Sequence, residues 1–148
     1  MSKNRQSDSK VQRQVEEEIR KKLKLKYLKE HLLIKNNKKI QVEIDGYSNS
    51  PPVLCEIYVH IGKLKGGQFG KVLKDIIKLV LLKKKNKKYR KHKIRFIFTD
   101  SNAAEKFLPN SNSWLSECFK LFNVESKVFK LSTKLRKKVS KAMKQQKQ

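Results

Sequence analysis

Cysteine is nearly absent from this 148-residue chain: Cys55 and Cys118 each stand alone in an apolar run. A disulfide framework and a paired-cysteine zinc site are thereby excluded. Long apolar segments are missing as well. The greasiest run, "IIKLVLL" (76–82), falls far short of the roughly 20 residues that a membrane-spanning helix needs. No apolar stretch near the N-terminus reads as a signal peptide, so an intracellular, cytoplasmic chain with no membrane partner is expected. No repeat recurs at a fixed period.

Acidic residues are also scarce. Against 13 Asp plus Glu stand 38 Lys plus Arg, 32 of them Lys, for a net charge of +25. Such an excess calls for a polyanionic partner. It does not reside in the tails, since discounting +2 at 1–10 and +7 at 134–148 leaves +16 on 11–133. Eight of the 13 acids precede residue 61, so the positive field concentrates in the second half, above all in "KKKNKKYRKHK" (83–93).

The length suits one domain with a modest core. Residues 1–10 are polar and aperiodic and read as a disordered arm. From Val11 the spacing Val11, Val15, Ile19, Leu23, Tyr27 predicts a helix over about 10–29. "HLLIK", "NN" and "KKIQVEID" read as a hairpin, because Asn tolerates the left-handed conformation of a tight turn. "GYSNSPP" (46–52) is dense in turn formers and predicts a loop. "VLCEIYVHI" then alternates as a strand, with Val53, Cys55, Ile57, Val59 and Ile61 on one face and Leu54, Glu56, Tyr58 and His60 on the other.

After "GKLKGG", a helix is expected from Gln68 or Phe69 to about Leu82, with a core stripe of Phe69, Val72, Leu73, Ile76, Ile77 and Val80 and with Lys71, Lys74 and Lys78 opposite it. "KIRFIFTD" predicts a strand, "NAAEKFLPNSNS" a loop, and "WLSECFKLF" a short helix capped by Ser111 or Ser113, with Trp114, Phe119 and Phe122 as its core side. "SKVFKLS" suggests an edge strand. Residues 134–148 form a basic helix or tail, leaving 11–133 as a single domain.

Asp45 ends the second strand in this order, Glu56 lies on the third, and "GKLKGGQFGK" joins that strand to the next helix. The pattern resembles the PD-(D/E)XK nuclease superfamily over roughly residues 11–100, in the variant whose "E-x-K" lysine has moved. That resemblance implies an α/β, restriction-endonuclease-like αβββαβ core: a mixed central sheet flanked by helices, here with a C-terminal helix-strand-helix extension. It implies Asp45 and Glu56 as ligands for Mg²⁺ or Mn²⁺, with Gln68 and Lys71 at the mouth of the site. Where the motif expects Lys, this chain has Tyr58, so the catalytic cation must come from elsewhere; Lys71 and Lys65 are the candidates. Glu18 and Glu16 flank the stripe of the first helix, and Glu18 is the preferred third acid. His60 shares a strand face with Glu56 and could reach phosphate.

The chemistry is coherent. Phosphodiester cleavage near neutral pH asks for hard oxygen ligands around a divalent cation and an ammonium to steady the developing charge. Lys83, Lys84, Lys85, Lys87, Lys88, Arg90, Lys91 and Lys93 are eight basic residues in 11 with no acid, more than solubility requires, and predict phosphate contact. The expected function is a small metal-dependent nuclease, or nuclease subunit acting as a homodimer or with partner subunits, on DNA before RNA. The alternative is a catalytically inactive nucleic-acid-binding or interaction module of the same fold.

Overall fold

The computed structural model describes residues 2–146, with side chains from 10 to 145. In chain order the elements are α1 (Ser2–Leu23), β1 (Lys26–Leu33), β2 (Lys39–Asn49), β3 (Pro52–Tyr58), α2 (Gly67–Lys85), β4 (Lys93–Phe98), α3 (Ser101–Ala104), α4 (Trp114–Leu121), β5 (Val124–Val128) and α5 (Thr133–Gln146). The chain is therefore α/β. Its five strands form one mixed sheet in the order β1-β2-β3-β4-β5, antiparallel from β1 to β3 and parallel from β3 to β5. The stretch expected as a disordered arm is instead helical from Ser2, continuous with α1, while the side chains of 1–9 lie outside the described residues.

The alternation in β3 explains the layering. Leu54 and Tyr58 enter a core with Val72, Ile76, Leu79 and Leu82 of α2 and Phe119 of α4, while Val53, Cys55 and Ile57 enter a second core with Val15 and Ile19 of α1 and Leu135 and Val139 of α5. Both faces of the central strand are covered, as a strand with a parallel neighbour requires. The basic C-terminal helix thus contributes apolar side chains to the fold.

Four further expectations need correction. The first helix ends at Leu23, not near residue 29, because Lys24 turns left-handed (φ 56°) and the amides of Leu25 and Lys24 close on the carbonyls of Arg20 (2.8 Å) and Lys21 (3.4 Å). This is the Schellman stop, with buried Leu25 as its apolar partner and Lys where glycine is usual. The segment 46–49 is strand and not loop: the Tyr47↔Leu54 and Asn49↔Pro52 pairs carry the ladder to a tight turn at Ser50–Pro51. In α2 the buried set is Val72, Ile76, Leu79 and Leu82, which rotates Ile77 outward to 57 % exposure and brings Lys78 toward the sheet. Trp114 and Phe122, at 67 % and 39 % exposure, stand outside the core, whereas Phe119 is buried. The Asn turn, by contrast, forms as expected, with Asn36 and Asn37 at φ 64° and 59°, and Ser113 caps α4 by accepting from the Leu115 amide at 3.1 Å.

Gly46 sets how closely β2 can approach β3. A Cβ there would stand 2.9 Å from Leu25 Cδ1 and 3.2 Å from Cys55 Cβ. The leucine tip can yield, but the Cys55 Cβ is fixed to a central strand. Gly46→Ala is expected to lower the unfolding free energy by about 1–3 kcal/mol, the scale of overpacking. Denaturant titration checks this, and an unchanged midpoint would argue against the close approach.

Candidate active site

The last β2–β3 ladder pair toward the open end of the hairpin is Gly46↔Cys55. Beyond it, side chains replace the backbone ladder. The Asp45 amide donates to Glu56 Oε2 at 3.0 Å, and the Ile57 amide donates to Asp45 Oδ2 at 3.0 Å. Each carboxylate therefore seals the neighbouring strand where the two part, and the two acids share one place. Arg20 of α1 donates to the Asp45 carbonyl at 3.0 Å, fixing β2 from the other face of the sheet. Glu56 is only 2 % exposed. Its second oxygen, Oε1, accepts from the ammonium of Lys78, which reaches across from α2.

The electrostatics follow from burial. Loss of water, then the Asp45 charge, push the Glu56 carboxyl up to about 7 against the pull of Lys78. Asp45 is raised by burial, opposed by the Ile57 amide and Lys78, with Asp75 adding a like charge. Glu16 on α1 is raised by burial and by Asp45. The cluster carries more negative charge than it holds comfortably, and Lys78 is its nearest relief.

The other expected residues separate into two groups. Lys65, Gln68, Lys71 and His60 all line one groove of about 630 Å³ at the C-terminal end of β3. Gln68 Oε1 accepts the Lys65 amide at 2.8 Å. Lys71 pairs with Asp75 at 3.0 Å and lies 5.0 Å above the Tyr58 ring. His60 is buried against Tyr58, 5.5 Å between ring centres, with its amide on Thr99 Oγ1. Asp45 and Glu56 do not line this groove, but Lys71 and Glu16 connect the two by charge. Glu18 is exposed; Glu16, two residues earlier, is the α1 acid that senses Asp45.

Lys78 and Asp75 were not foreseen. The signal for Lys78 was the spacing Val72, Ile76, Leu79, Leu82, an equally good apolar stripe whose choice over one through Ile77 turns Lys78 inward. Asp75 was detectable as the i+4 partner of Lys71.

The basic block lies at the opposite end of the sheet, between the end of α2 and the start of β4. Its loop is anchored from below by Tyr89, fully buried, whose hydroxyl donates to Glu30 at 2.6 Å, and by His92, stacked on Tyr47. Lys84, Lys85, Lys87, Lys88, Arg90, Lys91 and Lys93 remain exposed, with Lys83 half-buried. At 1.5 Å per residue, Lys71 and Lys85 stand about 20 Å apart along α2.

Among the described residues, no group of three or more His, Cys, Asp or Glu side chains stands ready to hold a metal ion. No protein-family model matches the chain, no curated protein matches its sequence, and no solved structure matches its fold.

A pH dependence follows from Glu56. Its folded pKa, about 7, exceeds the ordinary 4.5, so the bound proton stabilises the fold fully below 4.5, and that contribution is lost as pH rises through 7. Relative to Glu56→Gln, which cannot titrate, the wild type should therefore lose stability between pH 5 and pH 8. Paired denaturant titrations measure it; a difference that is flat or of opposite slope would refute the shift.

Proposed function

We propose that this chain is a small nucleic-acid phosphodiesterase built on a restriction-endonuclease-like core of the PD-(D/E)XK type, its motif lysine replaced in space by Lys78. The observation that carries this reading is the convergence of Asp45 and Glu56 at the β2–β3 divergence with the Lys78 ammonium on Glu56. The order helix, three strands, helix, strand agrees with it.

A divalent cation fits the residues present. Two adjacent carboxylates, one raised to about 7 by burial and by the other's charge, form a hard oxygen pair short of positive charge, and Mg²⁺ is commonly held by one or two carboxylates together with substrate phosphates. Asp45 and Glu56 would hold the ion, with Glu16 the nearest acid from α1; once bound, it supplies charge neutralisation and acidifies water. The chain's own groups do the rest. Lys78, its side chain 30 % exposed, faces solvent as well as Glu56, so its ammonium can swing to a phosphate oxygen as charge develops there. Lys65 and Lys71 on the groove would hold a flanking phosphate. The block 83–93, about 20 Å away, would add sequence-independent backbone contacts whose affinity falls steeply with salt.

A second reading has its own support. The reciprocal amide bonds and the Lys78 pair satisfy both carboxylates without any ion, which suits a silent binding module of the same fold.

Cleavage of labelled DNA and RNA in Mg²⁺ and Mn²⁺ separates the two. Asp45→Asn and Glu56→Gln should abolish cleavage and spare binding, and Lys78→Met should slow it about a hundredfold, the scale for removing one charge-stabilising donor. Lys71→Met should cost less than Lys78→Met. If Lys78→Met cleaves like wild type, the relocated lysine is not Lys78; if wild type cleaves with neither ion, the silent module stands.

A further inference from the structure

The groove at the C-terminal end of β3 has two unlike walls. One is Lys63, Lys65, Gln68 and Lys71, from the β3–α2 connection and the start of α2; the other is Val11, Val59, Ile61, Val139 and Met143, which pack together in the core with α1 and α5. Lys63 and Lys65 are exposed and have no acid partner among the described residues. The volume, about 630 Å³, lies within the range of small-ligand clefts, roughly 300–1,000 Å³.

The rim is built. The Gly62 amide donates to Asp100 Oδ2 at 2.7 Å, Arg136 of α5 donates to Asp100 Oδ1 at 3.0 Å, and the Ile61 amide rests on Met143 Sδ at 3.4 Å. Asp100 is 5 % exposed, so the strap after β3 is tied to α5 through a buried carboxylate. The strap and α5, which carry much of the apolar lining, are thereby held against each other.

An intact duplex brings such a cleft only its phosphates, because its bases are stacked and paired within. The lysine wall would be used and the apolar wall left wet. An unpaired nucleotide uses both, with its phosphate on the lysines and its base packed on aliphatic side chains. We propose that this groove binds an unpaired nucleotide, at a strand end or in a single strand, and that the protein favours such ends over blunt duplex. The proposal rests on the nuclease reading for the purpose of the site, in that the groove would deliver the strand to Asp45, Glu56 and Lys78.

Fluorescence anisotropy in EDTA, with a short labelled single strand and a blunt duplex of the same sequence in DNA and RNA versions, tests it. Strand affinity should exceed duplex affinity by about tenfold, the scale of burying part of one base's apolar surface, in at least one version, which then names the sugar. Val11→Asp, which places a carboxylate on the apolar wall, should erase the preference and leave duplex binding within about twofold, since charge at the far end of the sheet is untouched. In wild type, a strand ending in 5-iodouracil should crosslink to 59–65 or 139–143. Equal strand and duplex affinities in both versions, or crosslinks confined to 83–93, overturn the proposal. Cleavage plays no part in this assay: strand preference without cleavage under any divalent ion sinks the nuclease reading alone, and duplex cleavage without strand preference sinks the groove alone.

Discussion

A carboxylate in the middle of a central strand is the constraint around which this molecule is arranged. Glu56 is removed from water, and an unpaired buried charge costs several kcal/mol. Its surroundings divide that cost. One oxygen takes the Asp45 amide and the other the Lys78 ammonium, while Asp45 repays the bond by accepting from Ile57. The exchange is available because β2 and β3 part beyond the Gly46↔Cys55 pair, leaving two amides with no ladder partner. The parting itself is framed by α1, whose Arg20 holds the Asp45 carbonyl, and by Gly46, which leaves room for Leu25. Even so, burial and the Asp45 charge outweigh these bonds and push the Glu56 carboxyl up to about 7.

Charge elsewhere is spread to two ends of the sheet. At the N-terminal end of β4, aromatic anchors Tyr89 and Tyr47 and the buried His92 hold a loop whose lysines point outward; burial and the neighbouring Lys83 and Lys88 keep that histidine's pKa below its ordinary value. At the C-terminal end of β3, lysines line a groove backed by apolar side chains of α1 and α5. The helix α2 joins the two ends and carries Lys71 and Lys78 between them.

Much of this was legible in the sequence, and the misses have physical causes. The β3 alternation gave both cores and set Glu56 on the α2 face, and the Asn36–Asn37 pair announced its turn. The end of α1 was hidden because the left-handed residue is Lys24 and not glycine. "GYSN" carries turn formers yet is strand, since pairing with Pro52–Cys55 outweighs local preference. The meeting of Asp45 and Glu56 was readable from their places on adjacent strands, but the ammonium that pairs with Glu56 was not. Choosing Lys78 over Lys71 required the rotation of α2, and two apolar stripes one residue apart differ only in which is buried by the sheet. Which α1 acid lies near Asp45, Glu16 and not the exposed Glu18, is likewise set by a rotation that only packing decides.

The central claim is that Asp45 and Glu56 form a cation site now answered by Lys78. Paramagnetic broadening by substoichiometric Mn²⁺, followed in a two-dimensional amide NMR spectrum, addresses it residue by residue. The amides of Asp45, Glu56 and Ile57 should broaden first, with those of Lys87–Lys91 unaffected at the same Mn²⁺ level. Broadening that is absent, or that is centred on any other part of the chain, would contradict the claim.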